Sequence, residues 1–88
     1  MPPMRAKMRI TSIEYYPTAG TPTQETLKFH AVSQDGPYQS DGSDEDNTFA
    51  KFSPIGSLSL TVANPELLGK YKTGDTFYLD FTPIGPPT

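Results

Sequence analysis

The chain has 88 residues, a formal charge of −3, seven glycines, ten prolines and no cysteine. These figures allow one small core and exclude a disulfide framework, a thiolate metal site and any bulk electrostatic pull towards nucleic acid. No apolar run approaches the roughly 18 residues of a membrane span, and the start Met1-Pro2-Pro3-Met4-Arg5 lacks a signal peptide's apolar stretch.

Residues 4–16 predict a long first strand. Met4, Ala6, Met8 and Ile10 alternate with Arg5, Lys7 and Arg9, giving one apolar and one basic face. The apolar phase then slips to Ile13 and Tyr15, which predicts a bulge or bend near Thr11-Ser12. A bent strand of this kind is able to serve two sheets. Residues 17–24 carry two prolines and a glycine and read as a loop. Residues 25–33 form the second strand, with Leu27, Phe29 and Ala31 on one face and Lys28 and His30 on the other.

Residues 34–47 are the most polar stretch. Asp41, Asp44, Glu45 and Asp46 place four of the ten acidic residues within six positions. A loop this long in a small domain is usually functional or mobile. Residues 47–53 predict a short strand or extended segment, although Phe49 and Phe52, three apart, cannot share one face of a flat strand. Residues 57–63 alternate cleanly, with Leu58, Leu60 and Val62 facing inwards. Asn64 to Gly69 predict one helical turn, with Asn64 as N-cap, Pro65 at the first helical position and Gly69 closing it. Residues 76–82 form the last strand, with Phe77, Leu79 and Phe81 opposite Tyr78 and Asp80.

The fold expectation is all-β: one domain over residues 1–88, a small antiparallel sandwich or partly open barrel of about five or six strands with one short helical turn. Pro-rich arms occupy residues 1–3 and 83–88. Hydrophobic residues are 34% of the chain. That makes a thin core, and help from a partner or oligomer is expected.

The acidic loop is the natural place to look for calcium, which wants several carboxylate oxygens from one short loop. Counted from Asp41, however, glycine falls second rather than sixth, and position twelve is Phe52 rather than a bidentate glutamate. No metal site and no cofactor is therefore expected; the loop reads as solvated or as docking to a partner. The basic stripe Arg5, Lys7, Arg9 lacks interleaved aromatics and reads as a solvated strand face, an edge guarded by charge, or a docking face for an acidic partner. His30 sits in no motif. With one histidine and no cysteine, most nucleophile–base pairs cannot be built, and the chain is not expected to be an enzyme. Asp80, between Leu79 and Phe81, needs a partner, for which Lys28 and Lys51 are the candidates.

The runs 46–54 (DNTFAKFSP), 56–60 (GSLSL), 63–65 (ANP), Gly69-Lys70 and 74–83 (GDTFYLDFTP) resemble a group of small tailed-bacteriophage proteins. These are mostly uncharacterised open reading frames among head-morphogenesis genes, and the resemblance spans residues 46–83. It implies a non-enzymatic structural protein of the virion. The leading expectation is a capsid cement or decoration protein on the capsid surface, bound to the major capsid protein and self-associating as a dimer or trimer. Head–tail connector, tail component and small single-strand nucleic-acid-binding barrel are the alternatives. Contacts are expected from Met4, Arg5, Lys7 and Arg9 on the first strand, Tyr38, Asp41, Asp44, Glu45 and Asp46 in the loop, and Ile84, Pro86 and Pro87 in the C-terminal arm. Neither a membrane nor nucleic acid is an expected partner.

Overall fold

A computed structural model describes residues 4–38 and 40–85. Four strands form one antiparallel sheet: β1 (Arg5–Tyr16), β2 (Gln24–Ala31), β3 (Ser57–Val62) and β4 (Thr76–Asp80). The spatial order is β3-β2-β1-β4. Three consecutive strands lie side by side and the fourth returns to the free edge of the first, which is Greek-key order. The 63–75 connection therefore passes from one edge of the sheet to the other.

The period-two patterns set which residues face the core. The register pairs Ile10 with Phe29 and Ile13 with Leu27, Phe29 with Leu58 and Leu27 with Leu60, and Met8 with Phe77 and Ala6 with Leu79. All of these side chains share one face. Ala6, Met8, Ile10, Leu27 and Phe29 are its buried centre, and Ile13, Leu58, Val62, Tyr71, Phe77 and Leu79 pack around them. The register shifts between Ile10 and Ser12, leaving Thr11 as the extra residue. The phase slip after Ile10 is thus a bulge that keeps Ile13 on the apolar face. It does not send β1 into a second sheet: all twelve residues of β1 belong to the single sheet.

Among the described residues, fewer strands form than the alternation predicts, and they make one sheet and no sandwich. Residues 47–53 are not a strand; their one β-bridge is isolated, Lys51 to Ser43. Its amides turn inwards instead, from Asn47 to the Asp44 carbonyl (3.1 Å) and from Ala50 to the Asn47 carbonyl (2.9 Å). Phe52 takes a left-handed backbone (φ 64°), and its amide donates to the Gly42 carbonyl at 2.6 Å. The Phe52 ring lies over Gly42 so closely that a Cβ there would sit 2.5 Å from it. Gly42 also has φ +80°, so any larger residue would meet both a strained backbone and the ring.

Residues 64–69 form consecutive turns, not a helical turn. The Asn64 side chain accepts from the Glu66 amide (3.0 Å) and its carbonyl accepts from Leu67 (2.9 Å). Gly69 then turns left-handed at φ +76°. The cap works as expected, but so short a segment has too few internal bonds to propagate a helix.

Beyond Ala31, the last residue of β2, the acidic loop takes over its place beside β1. The Arg5 amide donates to the Thr48 hydroxyl (2.9 Å) and the Thr48 amide to the Arg5 carbonyl (3.0 Å). The Lys7 amide donates to Asn47 Oδ1 (2.8 Å), and the Val32 amide to the Lys7 carbonyl (2.9 Å). A loop side chain thus stands in for a ladder carbonyl, and the first half of β1 keeps hydrogen-bonded neighbours on both sides.

Candidate interaction surface

The two faces of the sheet have different chemistry. On the polar face, strand pairing brings the N-terminal cations against acids from distant segments. Arg5 lies opposite Asp80 in the β1–β4 register. Its guanidinium donates from Nε to Oδ1 (2.6 Å) and from Nη2 to Oδ2 (3.2 Å), a two-pronged contact that only arginine makes with a carboxylate. Asp80 is therefore paired by Arg5 and not by Lys28 or Lys51. Lys28 instead donates to Glu14 at 2.8 Å. The Arg5 guanidinium also stacks 4.6 Å from the Tyr78 ring centroid. The Tyr78 hydroxyl donates to Asp46 Oδ1 (3.0 Å), and Lys7 lies 3.5 Å from Asp46 and 3.6 Å from Asp35. The chain Asp80–Arg5–Tyr78–Asp46–Lys7–Asp35 ties β4, β1 and the acidic loop together.

These contacts shift titrations. The hydrogen bonds from Arg5, and then its charge, hold the Asp80 carboxyl below the usual 3.8. The hydrogen bond to Asp46 holds the Tyr78 phenol above its usual 10.0, because the neutral hydroxyl is the donor. Asp41 is lowered chiefly by the Ser43 amide that it accepts. Since Asp80 titrates lower in the folded chain than in the unfolded one, its contribution to stability is present above about pH 4 and disappears as pH falls below that value. Thermal unfolding should accordingly show wild type above Asp80→Asn near neutral pH, with the gap closing towards pH 2. A gap independent of pH would remove this role for the pair.

The acidic loop is built around two buried groups. Asp44 is 3% exposed and Asn47 0%. Asp44 Oδ1 accepts from the amides of Asp46 (2.9 Å) and Asn47 (3.1 Å). Its Oδ2 accepts from the Gln34 amide (3.2 Å) and Asn47 Nδ2 (3.1 Å). Asn47 Nδ2 also donates to the Val32 carbonyl (2.7 Å). Asp44 is thus buried inside the loop, which it organises through these bonds.

The other expected contact residues fall in several places. Met4 and Arg9 are exposed on β1 and just before it, with Arg9 Nε reaching the Thr76 hydroxyl at 3.3 Å. Asp41 and Glu45 are exposed in the loop, and Asp46 is half-buried under Tyr78 and Lys7. Tyr38 packs edge-on against Phe52 (6.3 Å). Ile84 is fully exposed on the C-terminal side of β4. Pro86 and Pro87 lie outside the described residues. The basic stripe and the acidic loop come together: Lys7, Asp35 and Asp46 meet on one face. His30 shares a 2.6 Å hydrogen bond with Thr11 across the bulge. Among the described residues, no group of three or more His, Asp or Glu side chains is placed to hold a metal ion. No helix among them is long and apolar enough to cross a membrane.

The apolar face is only partly covered. The 63–75 connection lays Tyr71 edge-on against Phe77 (5.8 Å) and Leu67 near the β3 side. Between them runs a trough of about 320 Å³ over Leu27 and Phe29, walled by Leu60 and Val62 from one edge strand and Phe77 and Leu79 from the other. A second hollow continues past Met8, Leu58 and Phe81. Glu25 is the one carboxyl on this side of the strands, buried at 1% exposure, with Oε1 accepting from the Gly69 amide at 3.4 Å.

Two features here escape a reading of the sequence. Asn47 is a polar residue at the start of a nominal strand, and the only local hint of its role is the Asp44-x-x-Asn47 spacing of a side-chain-closed turn. Glu25 carries no signal, because a glutamate at the start of a strand ordinarily faces solvent. No known protein family, no curated protein and no solved structure matches the chain.

Proposed function

We propose that this chain is a non-enzymatic structural protein of a tailed-phage particle, a capsid cement or decoration protein that binds the major capsid protein at the capsid surface and stabilises the shell. The observation that carries this reading is the build of the molecule. It is a plate 17 Å in its shortest dimension and 51 Å in its longest, so it offers a broad surface for its mass. Large apolar side chains stand exposed along it, among them Tyr15, Tyr16, Phe49, Ile55 and Ile84. Aromatic groups of this kind give large contact area at low entropy cost. The resemblance of residues 46–83 to small tailed-phage proteins supports a place on the particle, and many copies on a symmetric shell turn weak single contacts into strong total attachment. Arg9, Asp41, Glu45 and Ile84 are exposed for docking, with the charges setting register more than affinity.

The single-strand nucleic-acid reading has less support, since Arg5 and Lys7 already face Asp80, Asp46 and Asp35. The test is rebinding to expanded shells that lack the protein. Co-sedimentation should saturate at a simple symmetry-related ratio to the capsid protein, and Ile84→Asp should weaken it without changing the fold. No binding to shells overturns the proposal and favours a connector or tail component.

A further inference from the structure

A sheet with one apolar face is stable when that face is buried against another layer. In this chain the 63–75 connection covers part of the face, and the Phe49 ring reaches its Met8 and Ala31 end beside Gly56. The shortfall shows in the surface area. A folded chain of 9.7 kDa ordinarily exposes about 5,100 Å²; this one exposes 6510 Å². With the largest possible share set aside for the residues that are not described, about 600 Å² of excess remains. Each partner in a standard stable interface gives up about 600–1,000 Å². The radius of gyration agrees: 15.8 Å against about 12 Å for a compact chain of this length.

We infer that the uncovered apolar face is the interface of a two-fold homodimer, in which the sheets of two copies pack face to face as a β-sandwich. The strand charges suit a second copy. All the strand cations (Arg5, Lys7, Arg9 and Lys28) lie on the opposite face by alternation and register. The one strand carboxyl on the apolar side, Glu25, is already buried. The strand residues of two such faces therefore meet without like-charge repulsion, as a self-complementary two-fold interface requires. Leu60 at 48% exposure and Phe81 offer knobs at opposite edges, and the trough over Leu27 and Phe29 offers the hollow to receive them. Paired sheets at the usual spacing of about 10 Å would cross at about −30°. The polar face and acidic loop stay outward in both copies, so the inference holds whatever that face binds.

Sedimentation equilibrium of the full chain tests it. Wild type should sediment at twice 9.7 kDa, with dissociation only on dilution. Leu60→Glu should weaken self-association by roughly a hundredfold or more, since it buries an unpaired charge, while the circular dichroism stays that of wild type. Ser59→Glu, one residue away on the polar face, should leave the dimer intact. If Leu60→Glu does not fold, Leu67→Asp on the exposed connection supplies the same reading. A wild type that stays monomeric at high concentration, a trimer, or equal loss from Leu60→Glu and Ser59→Glu would each overturn the inference.

Discussion

Asn47→Ala is expected to cost about 3 kcal/mol or more, read as a lowered urea midpoint with an unchanged slope. The side chain is fully buried and makes three hydrogen bonds that no neighbour can replace: to the Lys7 amide, the Val32 carbonyl and the Asp44 carboxylate. Each orphaned buried group costs about 1–3 kcal/mol. The chain of 88 residues has roughly 4–13 kcal/mol in all. Asn47→Asp should be at least as damaging, because it removes the donor and sets a second carboxylate against Asp44. A loss below about 1 kcal/mol for Asn47→Ala would mean that water enters and re-satisfies the site.

The second large effect is expected at Phe29. It lies near the centre of the apolar face, buried, paired with Ile10 on one side and Leu58 on the other, and edge-on to Phe77 at 6.2 Å. Phe29→Ala removes the floor of the trough and should cost about 3–5 kcal/mol. Ile10→Val, at an equally buried site, should cost only about 0.5–1.5 kcal/mol. Chemical denaturation of the pair separates cavity formation from mere loss of a methyl group. Equal losses at the two positions would contradict the placement of Phe29 at the centre of packing.

Strands β1, β2, β3 and β4 were legible because each has one apolar and one polar face, and period-two alternation is a local signal. The bulge at Thr11 was legible for the same reason: a phase slip at Ile13 has only one inexpensive structural solution. The strand order was not. Nothing local in residues 76–82 says that they pair with β1 across the sheet rather than with β3 beside them. The partner of Asp80 was missed on that account, since Arg5 is adjacent only through the β1–β4 register. The segment 47–53 looked like a strand because Phe49, Ala50 and Phe52 are strand-compatible, yet their three-residue spacing fits no flat strand. The chain resolves the conflict with turns and a left-handed Phe52 seated on Gly42. The Asp44 and Asn47 hub was illegible because its value lies in satisfying backbone groups of Lys7 and Val32, far away in sequence. Acidic composition alone suggested solvent, whereas Asp44 lies inside.

The β3-β2-β1-β4 order also sets which chain closures cost least entropy during folding. β1 and β2 are joined by a short loop, with Tyr16 opposite Gln24, and can pair as soon as both exist. Docking β4 directly onto β1 would close a span such as that from Arg9 to Thr76, 67 residues apart, at about 2 kcal/mol more entropy than the hairpin. Once β3 has joined β2, only the 63–75 connection is left to close, so assembly along the chain is the low-cost route. On a ribosome, the outer edge of β1 must therefore wait, unpaired, for the last strand to be made. Arg5, Lys7 and Arg9 line that waiting edge, and their charge makes it a poor template for a stranger's strand. Two of these cations, Arg5 and Lys7, go on to hold Asp80 and Asp46 in the finished fold.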